Sequence, residues 1–125
     1  MARLFLRPRR EARLLAGHLW VYRSDVARLD GGWRADEAVT VCEAAGRVLG
    51  RGFYSSRPQI VCRLLTRQDE PVVVAFFRRR LEAAWRFRQT LGYDGDAARL
   101  VVSEGDGLPG LILERYADVL VLQAL

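Results

Sequence analysis

Lysine is absent from these 125 residues: all 20 basic residues are arginine, set against 15 acids. A guanidinium offers a planar fork that fits phosphate and stacks on bases. Complete loss of lysine is read here as codon bias, so the placement of charge is informative and the choice of arginine is not. Cysteine is scarce. Cys42 and Cys62 sit in apolar runs with no second Cys or His at ligand spacing, and His18 is the only histidine. That excludes a metal cluster and a multi-disulfide scaffold. Buried free thiols in a reducing compartment are expected, although the sequence leaves a Cys42–Cys62 bridge open. Neither thiol has a neighbouring base or cofactor loop, so both are read as structural. Only four residues are proline while half are hydrophobic, which predicts a packed core rather than disorder.

Long apolar runs are also missing. Every hydrophobic segment is short and broken by arginine, so none is expected to cross a bilayer. Met1 to Gly17 holds five arginines and no apolar h-region, which argues against a secretory signal. It also holds no serine, unlike an organelle transit peptide. A cytoplasmic location is expected. The length suits one ordinary domain or two very small ones.

Charge is unevenly spread. Residues 1–66 carry 12 Arg against 6 acids, residues 67–93 carry 6 against 3, and residues 94–125 carry 2 against 6. A basic front and an acidic tail suggest that the front faces a polyanion.

Hydrophobic periodicity predicts the elements. Arg3–Arg7 alternates as a short strand ended by Pro8, and Arg10–Ala16 suits a short helix stopped by Gly17. Gly17–Tyr22 is a compact run with three rings, followed by a polar loop at Asp30, Gly31 and Gly32. Strands are predicted over Ala38–Glu43, Val48–Tyr54 and Ile60–Thr66, with a turn at Gly46. Gly50 and Gly52 inside the second of these suggest a bulge or a close backbone approach. This density of short strands points to a small barrel. Val72–Leu91 reads as the one long helix, entered through Asp69, Glu70 and Pro71 and closed by Gly92. Its apolar stripe is Val73, Phe77, Leu81, Ala84 and Leu91, with Trp85 at the edge. Arg88 falls inside that stripe, where a guanidinium needs a partner. Strands return at Arg99–Ser103, Leu111–Arg115 and Val119–Leu125, and the last reads as an unfinished edge awaiting a continuation or a second copy.

The run Glu104-Gly105-Asp106-Gly107-Leu108-Pro109-Gly110-Leu111-Ile112, followed by Glu114-Arg115-Tyr116 and Asp118, resembles a known family. So do Arg99-Leu100-Val101 before it and, at the front, Gly17-His18, Trp20-Val21, Gly50, Gly52 and Tyr54. The chain resembles the N-terminal region of bacterial class I S-adenosylmethionine-dependent methyltransferases acting on cytosine carbon-5 of large-subunit rRNA. The resemblance implies an α+β fold: a PUA-like RNA-binding β-barrel over residues 1–66, then a partial strand-strand-helix-strand-strand linking domain over residues 67–125. It also implies a following Rossmann-like domain with the cofactor loop and the nucleophilic cysteine, neither of which is seen here. No cofactor is expected in this segment, S-adenosylmethionine is implied for the parent enzyme, and 23S rRNA is the implied partner. Two departures stand out. Tyr54 is followed by Ser55-Ser56-Arg57 where the family has Asn-Pro, and Ala117 stands where the family has Gly.

Arg9, Arg10, Arg13, His18 and Arg23 interleave cations with rings near the front, a pattern suited to phosphate and unstacked bases. Arg57 is a second candidate, and Arg78, Arg79, Arg80 and Arg86 extend the basic surface. Trp20 is read as core. Arg88 is expected to reach Glu104 and Asp106 and fix their loop. No catalytic and no metal-ligating residue is assigned. Two other readings are kept: a stand-alone RNA-binding module, and a dimerisation domain pairing through Val119–Leu125.

Overall fold

The computed structural model describes residues 2–35, 37–92 and 97–124, and the chain divides into two compact units, Met1–Val72 and Val73–Leu125. The first unit is built from period-two alternation. Strand β1 (Arg3–Leu6) turns Leu4 and Leu6 into the core and leaves Arg3 at the surface. A one-turn helix α1 (Ala12–Leu15), β2 (Trp20–Tyr22) and β3 (Val26–Asp30) follow, then β4 (Ala38–Cys42), β5 (Val48–Tyr54) and β6 (Ile60–Thr66). The strands form one sheet in the order β2-β6-β5-β4-β1-β3, with β1 and β4 parallel and the other pairs antiparallel. Leu14 of α1 joins Leu4, Leu6, Val21, Val39, Val41, Val61 and Leu64 in the core.

Connectivity forces this sheet to curl. Strands β2 and β3 lie at opposite edges, five strand spacings apart, which is on the order of 24 Å in a flat sheet. They are joined through the three-residue 3-10 turn Arg23–Asp25, and four Cα steps reach at most about 14 Å. The two edges are therefore drawn toward each other, and this turn bridges the seam.

Gly50 and Gly52 permit the curl. A Cβ on Gly52 would stand 2.2 Å from the Arg63 carbonyl oxygen, and one on Gly50 would stand 2.2 Å from that of Thr66. The β5–β6 register shifts between Arg51 and Gly52, so the bulge and the close approach read from the sequence are both present.

Several expectations change. Strands β2 and β3 fall where the sequence reads an aromatic run and a polar loop, because edge strands this short carry little alternation. Helix α1 is shorter than Arg10–Ala16, since residues 8–11 form a turn instead. Residues 67–72 belong to the first unit: Arg51 holds Asp69 (Nη2–Oδ1 2.6 Å) and Thr66 Oγ1 donates to Glu70 (2.8 Å). These acids therefore do not cap the next helix, whose N-cap is Val73 with no side-chain cap.

The second unit is a helix, α2 (Val74–Thr90), followed by three antiparallel strands, β7 (Ala97–Val102), β8 (Leu111–Tyr116) and β9 (Val119–Ala124), in the order β7-β8-β9. Helix-strand-strand-strand replaces the strand-strand-helix-strand-strand order among the described residues. The buried residues of α2 are Phe76, Ala84 and Arg88, with Phe77 packed alongside, whereas Val73 and Leu91 are more than half exposed. Burial follows an i, i+4 ridge through Phe76, Arg80, Ala84 and Arg88 and not the purely apolar stripe. Arg88 is admitted to that ridge by its partner: Nη1 and Nη2 grip Asp106, the second at 2.8 Å, and Nε donates to the Arg99 carbonyl at 3.2 Å. Both side chains are about nine-tenths buried. Asp106 also accepts the Val102 amide at 2.7 Å. Burial by itself would raise its carboxyl; the Arg88 and Val102 hydrogen bonds and the Arg88 charge together outweigh that and hold it below its ordinary range. Glu104, expected to share Arg88, instead takes the Ser103 hydroxyl. Ala117 adopts φ 54°, where Ala costs about 1 kcal/mol more than Gly.

Two outcomes test this account. Gly52→Ala destabilises the first unit by about 3 kcal/mol through backbone overlap, read from urea denaturation. Arg88→Met strands a buried carboxylate and costs the second unit about 3 kcal/mol at neutral pH, read from amide exchange at Val101. Because the folded-state value of Asp106 is lowered, its contribution is full above the ordinary 3.8 and is lost as pH falls below it. The gap between wild type and Arg88→Met therefore closes under acid.

Candidate nucleic-acid interface

The seam of the curled sheet gathers basic side chains around one acid. Asp25 is buried, and its carboxylate accepts the Tyr22 amide at 3.4 Å and faces Arg10 Nη1 at 3.6 Å. Its main-chain oxygen accepts the Arg7 amide at 2.8 Å, and the neighbouring Val26 carbonyl accepts Arg7 Nε at 3.2 Å. Residues 7–10 are thereby tied to residues 22–26. Across the seam, Arg23 Nη2 donates to the carbonyls of Ser56 (2.7 Å), Arg57 and Pro58 (3.1 Å), and its amide donates to Gln59 (2.8 Å). This single side chain shapes the loop after β5, where Asn-Pro is missing.

Between these segments lies an open cleft of about 350 Å³, lined by Arg7, Arg23, Val26, Tyr54, Ser56 and Val61. The Tyr54 ring is braced edge-on by Trp33, with centroids 5.0 Å apart and planes at 89°. Arg13 covers the Tyr22 ring at 4.9 Å. Arg9 and Arg57 are exposed and touch no other side chain by hydrogen bond or ion pair among the described residues. Arg9 follows Pro8 in the reverse turn closed by Arg10 N–H to the Arg7 carbonyl (3.1 Å), and it holds φ 70°. Proline presets the second turn position, but the third favours glycine, and arginine there is strained by about 1 kcal/mol.

Arg10, Arg23, Arg57 and the Arg9 turn therefore meet at one seam, with Arg13 joined through Tyr22. His18 is placed differently. Its side chain is exposed, and its carbonyl, with that of Leu14, accepts the guanidinium of Arg67 at 3.0 and 2.6 Å. Arg67 thus satisfies the end of α1. Arg7, Tyr54 and Ser56 were not singled out as contacts in the sequence. Arg7 belonged to a strand and Tyr54 to a family pattern, and only the seam sets them side by side. Trp20, read as core, is partly exposed, with Arg63 over its ring at 5.6 Å.

Both cysteines are free and buried. Burial pushes the Cys62 thiol up to about 12 and raises Cys42 as well, so neither forms a thiolate nucleophile at neutral pH. Among the described residues no group of His, Cys, Asp and Glu is placed to hold a metal, and no helix is long and apolar enough to cross a membrane.

A family model described as a PUA-like domain matches residues 4–67, about half of the chain. The chain belongs to the PUA-like domain family. The match covers the seam and every lining residue of its cleft. Relatives named "Ribosomal RNA large subunit methyltransferase I" are similar over 98% of the chain: 41% identical in Erwinia tasmaniensis, 42% in Enterobacter sp. and 41% in Escherichia coli UTI89. The chain spans about a third of their length (32%). Among solved structures, SMU.776, described as a methyltransferase complexed with SAH, superposes at TM-score 0.81 with 20% identity, over 98% of this chain and 32% of that one. A protein of Streptococcus mutans described as a SAM-dependent methyltransferase gives 0.79 at the same identity and coverage. At such identity these two show a shared fold.

Removing the central acid of the PUA-like domain tests the seam. Asp25→Ala frees Arg10 and orphans the Tyr22 amide, costing about 2 kcal/mol in chemical denaturation. Amide exchange at Tyr22 and Arg7 accelerates before that of the core strands.

Proposed function

We propose that the first unit grips large-subunit rRNA through Arg9, Arg10, Arg13, Arg23 and Arg57, with His18 at the margin, on behalf of a methyltransferase. The observation that carries this reading is the seam itself. Guanidinium groups converge there on an aromatic-lined cleft with no carboxylate in its lining among the described residues, and Asp25 beside it is buried and engaged. Phosphate contacts position an RNA, while exposed rings and planar guanidinium faces receive unstacked bases. The names of the relatives supply the substrate class, large-subunit ribosomal RNA; 23S rRNA with cytosine carbon-5 as the acceptor is the finer reading, taken from the resemblance around Glu104–Asp118. A cytoplasmic setting follows from that substrate.

Methyl transfer is not assigned to residues 1–125. S-adenosylmethionine binding calls for a glycine-rich loop running from a strand into a helix. The residues between β1 and α1 and between β6 and α2 contain no glycine, and Gly105, Gly107 and Gly110 lie between two strands, the first in the 3-10 turn Ser103–Asp106, the second capping it and the third after buried Leu108. These residues do not fit the cofactor. It belongs to the part of the parent enzyme that the relatives' additional length represents, and this segment by itself is inactive.

A second reading keeps one observation. Strand β9 is an edge strand with Val119, Leu120, Val121 and Leu122 each at least 45% exposed, a surface that suits pairing with another copy.

Arg9 gives the discriminating test. Because its left-handed backbone is strained and its side chain pairs with no other among the described residues, Arg9→Gly raises stability by up to about 1 kcal/mol. The same change weakens rRNA binding and lowers the salt slope by about one phosphate contact, read from fluorescence anisotropy across a salt series. Unchanged affinity in Arg9→Gly combined with Arg13→Ala and Arg57→Ala refutes this surface.

A further inference from the structure

The seam cleft is more than a patch of positive charge. Its volume, about 350 Å³, falls at the lower end of clefts that hold small ligands. Val26 and Val61 supply the apolar part of the lining, together with Tyr54, whose ring is held by Trp33. Arg7, Arg23 and Ser56 supply the polar part. The Arg7 fork is anchored through Nε alone, leaving both terminal nitrogens unengaged among the described residues. Arg23 is pinned through Nη2 to three successive carbonyls, so its plane is set while Nε and Nη1 make no contact among the described residues. The Ser56 hydroxyl adds a small donor and acceptor. Arginine lining with no carboxylate among the described residues selects an anion, and valine side chains beside a braced ring select a flat, weakly hydrated body. A nucleotide combines the two.

We infer that this cleft seats one unstacked nucleotide of a bound RNA strand, its base against Tyr54, Val26 and Val61 and its phosphate toward Arg7. The inference rests on the RNA-binding reading and adds to it a requirement for an unpaired nucleotide, because a base held in a duplex cannot leave its stack without breaking a pair. The arginines outside the cleft supply backbone contacts that paired and unpaired RNA share. Unpaired RNA gains the additional subsite.

The test uses the full chain and three probes: oligouridine, a blunt RNA duplex of the same length, and free uridine 5′-monophosphate. Ser56→Trp fills the rim without altering charge or core. The expected result is about a tenfold loss of oligouridine affinity with duplex affinity unchanged, and side-chain resonances of Tyr54 and Arg23 that move in wild type only. If Ser56→Trp perturbs folding, Arg7→Gln serves instead, and the readout is the ratio of oligouridine to duplex affinity, which falls severalfold. Oligouridine binding that is indifferent to both variants overturns the subsite while duplex binding keeps the RNA reading intact. Free uridine monophosphate binding as tightly as the oligomer also overturns it, since the cleft then serves a free nucleotide. Failure of both RNAs to bind at low salt removes the RNA reading itself, and the subsite falls with it.

Discussion

One buried carboxylate organises the basic seam of the first unit. Asp25 sits in the three-residue bridge between the two edges of a curled sheet, where its side chain meets the Tyr22 amide and Arg10 and its backbone meets Arg7. A carboxylate removed from water is tolerated only with such partners. Its neighbour Arg23 reaches the opposite way and gathers the loop after β5. Two positions of opposite charge, separated only by Ser24, thus hold the two lips of one cleft, and Arg9 and Arg57 beside it are exposed.

That arrangement is possible only because the sheet curls. The short link between opposite edges demands curvature, and glycine at positions 50 and 52 lets β5 and β6 approach to a distance that no side chain would allow. Structural need and surface chemistry are therefore coupled through backbone geometry. The turn at Arg9 is a local exception, since its left-handed backbone is strained while its side chain pairs with no other among the described residues. Backbone strain of this kind clusters at functional sites.

The second unit follows a different logic. Its helix buries an arginine because Asp106 and the Arg99 carbonyl receive it, and the turn carrying Asp106 also places Leu108 in the core beside Ala84 and Val101. Charge pairing and apolar packing cooperate in one loop. Strand β9 is left with exposed apolar residues along its length, a surface unlike that of a finished sheet edge.

Much of this was legible in residue order alone. Alternation located β1, β4, β5 and β6 closely, helical spacing located α2, and the misplaced charge at Arg88 announced a partner. Those signals are local, since they depend on repeats of two and near four residues. The family pattern around Glu104–Asp118 and the charge gradient pointed to RNA without any contact being known. The tertiary structure alone decided the rest. Strands β2 and β3 are too short for a periodic signal, and their status comes from pairing with distant partners. Asp25, Arg7, Tyr54 and Ser56 become one site only when residues more than forty positions apart meet at a seam, a consequence of which edges the sheet brings together. No local pattern encodes that meeting.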